Sequence, residues 1–162
     1  MPTSARPPGH PSTASRAQAN FEEQTFRQPP RGLYQTIKTL CNAREVVEDG
    51  GTIILVTKSE EGYGSADTEK QVAGYPTMVE REKALRADFS IGAFIGYLFA
   101  ECAETHHMIA VTSMDQKDFG TAKIHVVRTL DEALELSRQL NGGKDLRATL
   151  LPHGANTLPK FM

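Results

Sequence analysis

Two patterns divide the chain. Residues 1–32 carry no Val, Ile or Leu and hold six of the nine prolines. From Leu33 onward, apolar positions recur with helical and strand periods. Leu33, Ile37, Leu40, Cys41 and Val47 fall on one stripe, which predicts a helix over 33–48 stopped by Gly50-Gly51. The continuous β-branched run at 52–57 predicts a strand buried on both faces of a parallel sheet. Two short helical stretches follow between 67 and 86, broken at Pro76. A longer helix is predicted over 89–104, with Ile91, Phe94, Ile95, Leu98 and Cys102 as its buried stripe. Gly92 and Gly96, one turn apart, leave a smooth face on it where another backbone can approach closely. Strands are predicted at 108–112, 123–127 and 148–151. A last helix opens on the capping-box spacing Thr129 to Glu132 and ends at Asn141-Gly142-Gly143. This alternation implies an α/β fold, a layered domain with a mostly parallel sheet flanked by helices. It would occupy 33–158, preceded by a disordered Pro/Ser/Arg-rich tail at 1–32.

The tail cannot bury enough apolar surface to offset its ordering entropy. Its first 20 residues contain Arg, Ser, Thr and Ala but no acid, the bias of an organelle transit peptide. Pro7, Pro8 and Pro11 oppose the amphipathic helix such a peptide forms. A plain tail and a stretch foreign to the domain behind it are the other two readings.

The whole chain of 162 residues has a net charge of -2, so no electrostatic case exists for nucleic acid or an anionic membrane. The longest apolar run, 91–100, is too short to span a bilayer. No secretory signal opens the chain. Cys41 and Cys102 are the only cysteines, and both fall in apolar helical patterns as small hydrophobes. Neither a metal-type spacing nor a disulfide framework is present, so a cytoplasmic setting is expected.

Candidate chemistry starts at Tyr34-Gln35-Thr36-Ile37-Lys38. On a helix, Tyr34 and Lys38 are four apart and Gln35 and Lys38 three apart, so a phenol, a carboxamide and an ammonium share one patch. Each can donate to the oxygens of a small anion. A solvated helix face is the commoner outcome of such spacing, so both readings stand on spacing alone. The Gly62-Tyr63-Gly64 loop lies just past the first strand, at the sheet edge where ligands bind, with Ser59 and Ser65 as hydroxyl donors. It serves equally as plain turn chemistry. His106-His107 read as helix-end caps, His125 as a structural strand residue and His153 as a turn residue. Glu60-Glu61 are consecutive and do not make an acid/base pair. Nucleotide fingerprints and a nucleophile elbow are absent.

Taken in order, the helix 33–38, Ala43-Arg44-Glu45-Val46-Val47, Gly50-Gly51 with the strand behind it, and Glu61-Gly62-Tyr63-Gly64 resemble the C-terminal domain of the nickel-pincer lactate racemase family. The likeness resumes at Asp88-Phe89-Ser90-Ile91-Gly92, Leu130-Asp131-Glu132-Ala133-Leu134 and Pro152-His153-Gly154-Ala155-Asn156. It covers 33–158, and Tyr-Gln-x-x-Lys followed by Gly-Gly and an apolar strand is its most specific part.

The resemblance implies two α/β domains closing over a cleft. The N-terminal one holds a nickel pincer nucleotide and the histidines that assist racemisation of a 2-hydroxyacid such as lactate. The C-terminal one supplies contacts. Carried over, Tyr34, Gln35, Lys38 and Phe89 become substrate-binding residues, and Lys38 also a cofactor contact. No catalytic or metal-ligating residue is assigned to this chain. Where the family has a strand and a Ser-x-Gly-Gly-Tyr-Pro turn, the sequence reads Thr25-Phe26-Arg27-Gln28-Pro29-Pro30-Arg31-Gly32. That departure coincides with the composition shift and implies a truncated family member. Its expected activity is that of a substrate-cleft domain, inactive alone and completed by a cofactor-bearing N-terminal domain or separate partner chain. The alternative is a non-catalytic accessory domain that docks on a separate partner.

Overall fold

Three parallel strands form the sheet in the order β1 (Thr52–Val56), β2 (His107–Val111), β3 (Ile124–Val127). The structure, a computed structural model, describes residues 32–144 and 147–157. The predicted tail therefore lies outside the described residues, apart from Gly32. Five helices accompany the strands: α1 (Ile37–Arg44), α2 (Ala66–Ala73), α3 (Met78–Ala87), α4 (Ile91–Thr105) and α5 (Leu130–Leu140). Among the described residues, no helix is long and apolar enough to cross a membrane.

Strand alternation assigns the layers. Ile53, Met108 and Ile124 stand in one cross-strand row, and Leu55, Ala110 and Val126 in the next. Both rows face the same way and join one core with Leu33, Leu40 and, from α4, Phe99 and Cys102. Ile109 points the opposite way and is fully buried beneath α5, whose Ala133 and Ser137 are its buried positions. α2 packs along α4, and α3 packs on α4 as well.

The capping predictions hold where the local chemistry is complete. Thr129 Oγ1 accepts from the Glu132 backbone N–H, while Glu132 accepts from the backbone N–H groups of Arg128 and Thr129. Those two backbone donors, Arg128 first, hold the Glu132 carboxyl below its ordinary value. A depressed folded value means the cap contributes above the unfolded glutamate pKa of about 4.3 and is lost as pH falls through the folded value. Carboxyl chemical shifts should therefore place the Glu132 midpoint below that of exposed glutamates. Glu132→Gln, which keeps an acceptor, should remove the acid-dependent fraying of α5. An ordinary midpoint would refute this.

Several expectations are corrected. The first helix is split: residues Leu33–Thr36 form a 3-10 turn and α1 starts at Ile37. There Gln35 N–H bonds the Gly32 carbonyl three residues back, while the N–H groups of Leu33 and Tyr34, unpartnered within any helix, donate to the carbonyls of Gly62 and Tyr63. Strand 148–151 does not form; Ala148, Thr149 and Leu150 are exposed and unladdered. That segment leads from α5 on one face to Gly154–Asn156 on the other, where Asn42 donates to the Gly154 carbonyl. Cys41 is exposed, whereas Cys102 is buried and its thiol is pushed up to about 11, chiefly by desolvation. His107 belongs to β2 rather than to a helix end; His106 is the C-cap of α4. Ile91 and Phe94 face water instead of joining the buried stripe. The Gly92/Gly96 face does admit a close neighbour as expected: α2 lies against it, with the Thr68 backbone at Gly96.

Candidate functional site

Because the strands are parallel, Val56, Val111 and Val127 end at one edge of the sheet. Polar residues follow each of them at once. Buried Thr57 Oγ1 and Ser59 Oγ lie 3.0 Å apart. The Ser113 hydroxyl donates to the Lys58 carbonyl at 2.6 Å, and Thr112 Oγ1 reaches the same oxygen at 3.4 Å. From the end of β3, Arg128 donates to the carbonyls of Thr112 and Met114, both at 2.8 Å, and to Asp115 at 2.6 Å. The three strand ends are thereby clasped. Among the described residues, Ser59 alone is a non-glycine with positive φ, at 47°. Holding such a residue there costs about 1–2 kcal/mol, which its buried hydroxyl contact offsets.

The loop beyond Ser59 carries Gly62 and Gly64 at φ of 60° and 69°. These turns present two carbonyls outward: Leu33 N–H donates to Gly62 O at 2.9 Å and Tyr34 N–H to Tyr63 O at 3.0 Å. Contact is so close that a Cβ on Gly32 would sit 2.9 Å from Gly64 Cα. Tyr63 anchors the loop from below. Its ring packs on Phe119 with centroids 6.0 Å apart, and its hydroxyl donates to the Asp118 carbonyl at 2.7 Å. Burial, then the Glu69 and Asp118 charges, push that phenol well above the ordinary tyrosine range, so it stays protonated. Tyr63 is thus an anchor, and the two features singled out in the sequence, loop and Tyr-Gln-x-x-Lys turn, are joined through their backbones.

The 3-10 turn alters how the three polar side chains are disposed. At about 120° per residue through the turn and about 100° beyond, Gln35 and Lys38 lie roughly 40° apart. By the same count Tyr34 is rotated roughly 80° from Lys38. Burial follows: Gln35 and Lys38 are exposed, and Tyr34 is half-buried against the core. Among the hydrogen bonds between described residues, none joins the Tyr34, Gln35 and Lys38 heads to one another. Lys38 makes no ion pair with any described residue, so its ammonium stands as an uncommitted cation beside the loop. Phe89 is exposed at the start of α4, one residue before the N-cap Ser90. Ser90 Oγ donates to Asp67 at 2.7 Å, and Gly92 packs on Ser65, so the start of α4 abuts the same loop.

Thr112, Ser113 and Arg128 escaped the sequence reading. Their signal was positional: a hydroxyl or cation directly after each β-branched run marks the same edge of the sheet. At the opposite edge, two open cavities of about 560 and 330 Å³ share His106 in their linings. His106 Nδ1 is 2.8 Å from Thr105 Oγ1, while its buried Nε2 has no partner. Tyr34, Gln35, Lys38 and Phe89 line neither of these two cavities. No three His, Cys, Asp or Glu side chains are grouped as a metal ion needs, among the described residues.

Comparison with known proteins adds what geometry cannot. A lactate racemase from Lactiplantibacillus plantarum is 25% identical over 140 residues, covering 80% of this chain and 32% of its own length. The lactate racemase apoprotein structure from Thermoanaerobacterium thermosaccharolyticum shares the fold with a TM-score of 0.69 at 19% identity. That alignment covers 82% of this chain and 33% of the other. The chain thus spans about a third of the length of these relatives. The family model for the lactate racemase C-terminal domain matches residues 30–158, and the chain belongs to that family.

Proposed function

We propose that this chain supplies the C-terminal wall of a 2-hydroxyacid racemase, the other wall and the nickel pincer nucleotide coming from a cofactor-bearing polypeptide. The observation that carries this is the backbone seam between Leu33-Tyr34 and Gly62-Tyr63 at the C-terminal edge of the sheet. It presents an uncommitted cation and a carboxamide where open parallel sheets bind ligands. Lys38 suits a substrate carboxylate or a cofactor phosphate as a point charge. Gln35 and Tyr34 can each donate to a hydroxyl or carboxylate oxygen, and Phe89 offers an apolar flank. The donor set within the described residues does not fit a metal, so this chain's part is to bind and orient. When bound, the nucleotide supplies the redox chemistry.

The test reconstitutes racemisation. Full chain alone should turn over no lactate; chain mixed with the cofactor-loaded remainder of the plantarum relative should. Lys38→Ala should then lower kcat/KM about 30- to 100-fold, the loss of one charge-assisted contact. Chiral chromatography of the lactate enantiomers reads the rate. Turnover by the chain alone, or full activity in Lys38→Ala, would exclude the assignment. The exposed apolar residues around Phe89 favour a second reading, a non-catalytic accessory domain that docks on a separate partner; it predicts binding to the remainder without restored turnover.

A further inference from the structure

α4 begins with a cluster that the domain itself leaves uncovered. Phe89 is 67% exposed, Ile91 65% and Phe94 42%. The two phenylalanine rings meet with centroids 6.2 Å apart and planes tilted by 39°. Local helix chemistry explains that meeting. With Ser90 as N-cap, Phe89 and Phe94 hold the two positions of a hydrophobic staple, which fixes how the chain enters the helix. A staple needs one edge of each ring. It does not need Ile91, nor does it account for the outer faces of both rings standing in water. The rest of α4 is committed inward: Ile95, Phe99 and Cys102 reach the core, and Gly92 and Gly96 receive α2.

We propose that Phe89, Ile91 and Phe94 form the docking patch for the polypeptide corresponding to the other two thirds, approximately, of the relatives' length. The inference rests on the reading of this chain as one wall of a shared site, and it names the surface where the second wall is seated. Three observations carry it. Gln35, Lys38 and Phe89 are exposed and, with Tyr34, line neither of the two cavities described, so a ligand held by them gains enclosure from added polypeptide. The patch adjoins the candidate contacts through Gly92 on Ser65 and through Gly64 on Gly32, so polypeptide seated over those contacts lies next to the patch. Its area suits a macromolecule, because two aromatic rings and an isoleucine exceed what a three-carbon acid can cover. Rigid aromatic groups held by a staple also lose little side-chain freedom on docking.

Calorimetric titration and sedimentation velocity of the full chain with the separately produced remainder of the plantarum relative test this. A one-to-one complex is expected, with Phe89→Asp or Ile91→Asp raising Kd at least about tenfold. Ile91→Asp, outside the staple, should melt within roughly 2 °C of the parent because its side chain is exposed, whereas Phe89→Asp also loses the staple. Lys38→Ala should leave Kd unchanged while lowering racemisation about 30- to 100-fold, so failure of the site and failure of the patch are told apart. No complex with the parent chain, or one indifferent to both substitutions, overturns the proposal. Self-association of the chain that the same substitutions abolish does so too, since the patch would then be a face between copies.

Discussion

Gly96→Leu is expected to prevent stable folding, at a cost of roughly 4 kcal/mol or more. A Cβ at this position would lie 2.7 Å from both Gln71 Cβ and the Thr68 carbonyl oxygen, and 3.2 Å from Thr68 Cα. Two of these three neighbours are backbone of α2, which cannot rotate aside. Even alanine, whose helix propensity exceeds that of glycine by about 1 kcal/mol, should destabilise here because the clash outweighs that gain. Gly92 is the control. Its Cβ would meet the Ser65 hydroxyl at 2.6 Å, a group that can turn away. Turning forfeits the cap on α2, so Gly92→Ala should cost about 1 kcal/mol. Urea midpoints at constant m-value decide the matter. Equal losses at the two glycines would show that α2 and α4 do not meet backbone to backbone at Gly96.

Arg81→Met is the second large effect, a loss of about 3 kcal/mol. The guanidinium is buried yet has no carboxylate partner among the described residues. Its Nε donates to Gln71 O at 3.0 Å, and its Nη2 to Val72 O at 2.8 Å and Thr121 Oγ1 at 3.0 Å. Gln71 returns a bond to the Arg81 carbonyl at 2.7 Å. Two of the acceptors are carbonyls in the last turn of α2, the end where a helix carries partial negative charge. Methionine fills the volume but leaves both carbonyls dry and unpaired. Lysine should not rescue, because one ammonium cannot reproduce the planar fork. The helix pair α2–α3 should lose amide-exchange protection in the variant, and a change below about 1 kcal/mol would refute this role.

Arg81 shows why part of the fold was hidden in the sequence. Within Glu80-Arg81-Glu82-Lys83 it reads as a solvated charge, and only the approach of α2's carbonyl end makes burial favourable. Elements whose signal was local were legible: the Thr52–Val56 run, the Thr129/Glu132 box, and the break between α2 and α3 around Pro76. Residues 148–151 misled because four residues of strand-like composition state nothing about a partner strand. The stripe on α4 misled for a related reason. Helical periodicity at Ile91 and Phe94 marks apolar residues without saying that this domain is what covers them. At the candidate site, residue types and their place at the sheet edge were readable from order alone. The 3-10 start, which turns Tyr34 toward the core and leaves Lys38 outside, was not, since its leading N–H groups bond carbonyls contributed by a loop nearly thirty residues away.

That seam also decides what kind of moving part this wall can be. With two backbone hydrogen bonds and a glycine-to-glycine contact binding the turn to the loop, neither can be displaced alone. Tyr34, Gln35 and Lys38 ride on a stiff plate clamped to the sheet by Tyr63. The backbone that carries the candidate contacts is ordered in advance, so binding would immobilise only the exposed Gln35 and Lys38 side chains. Any displacement of this wall would then carry turn and loop together as one piece.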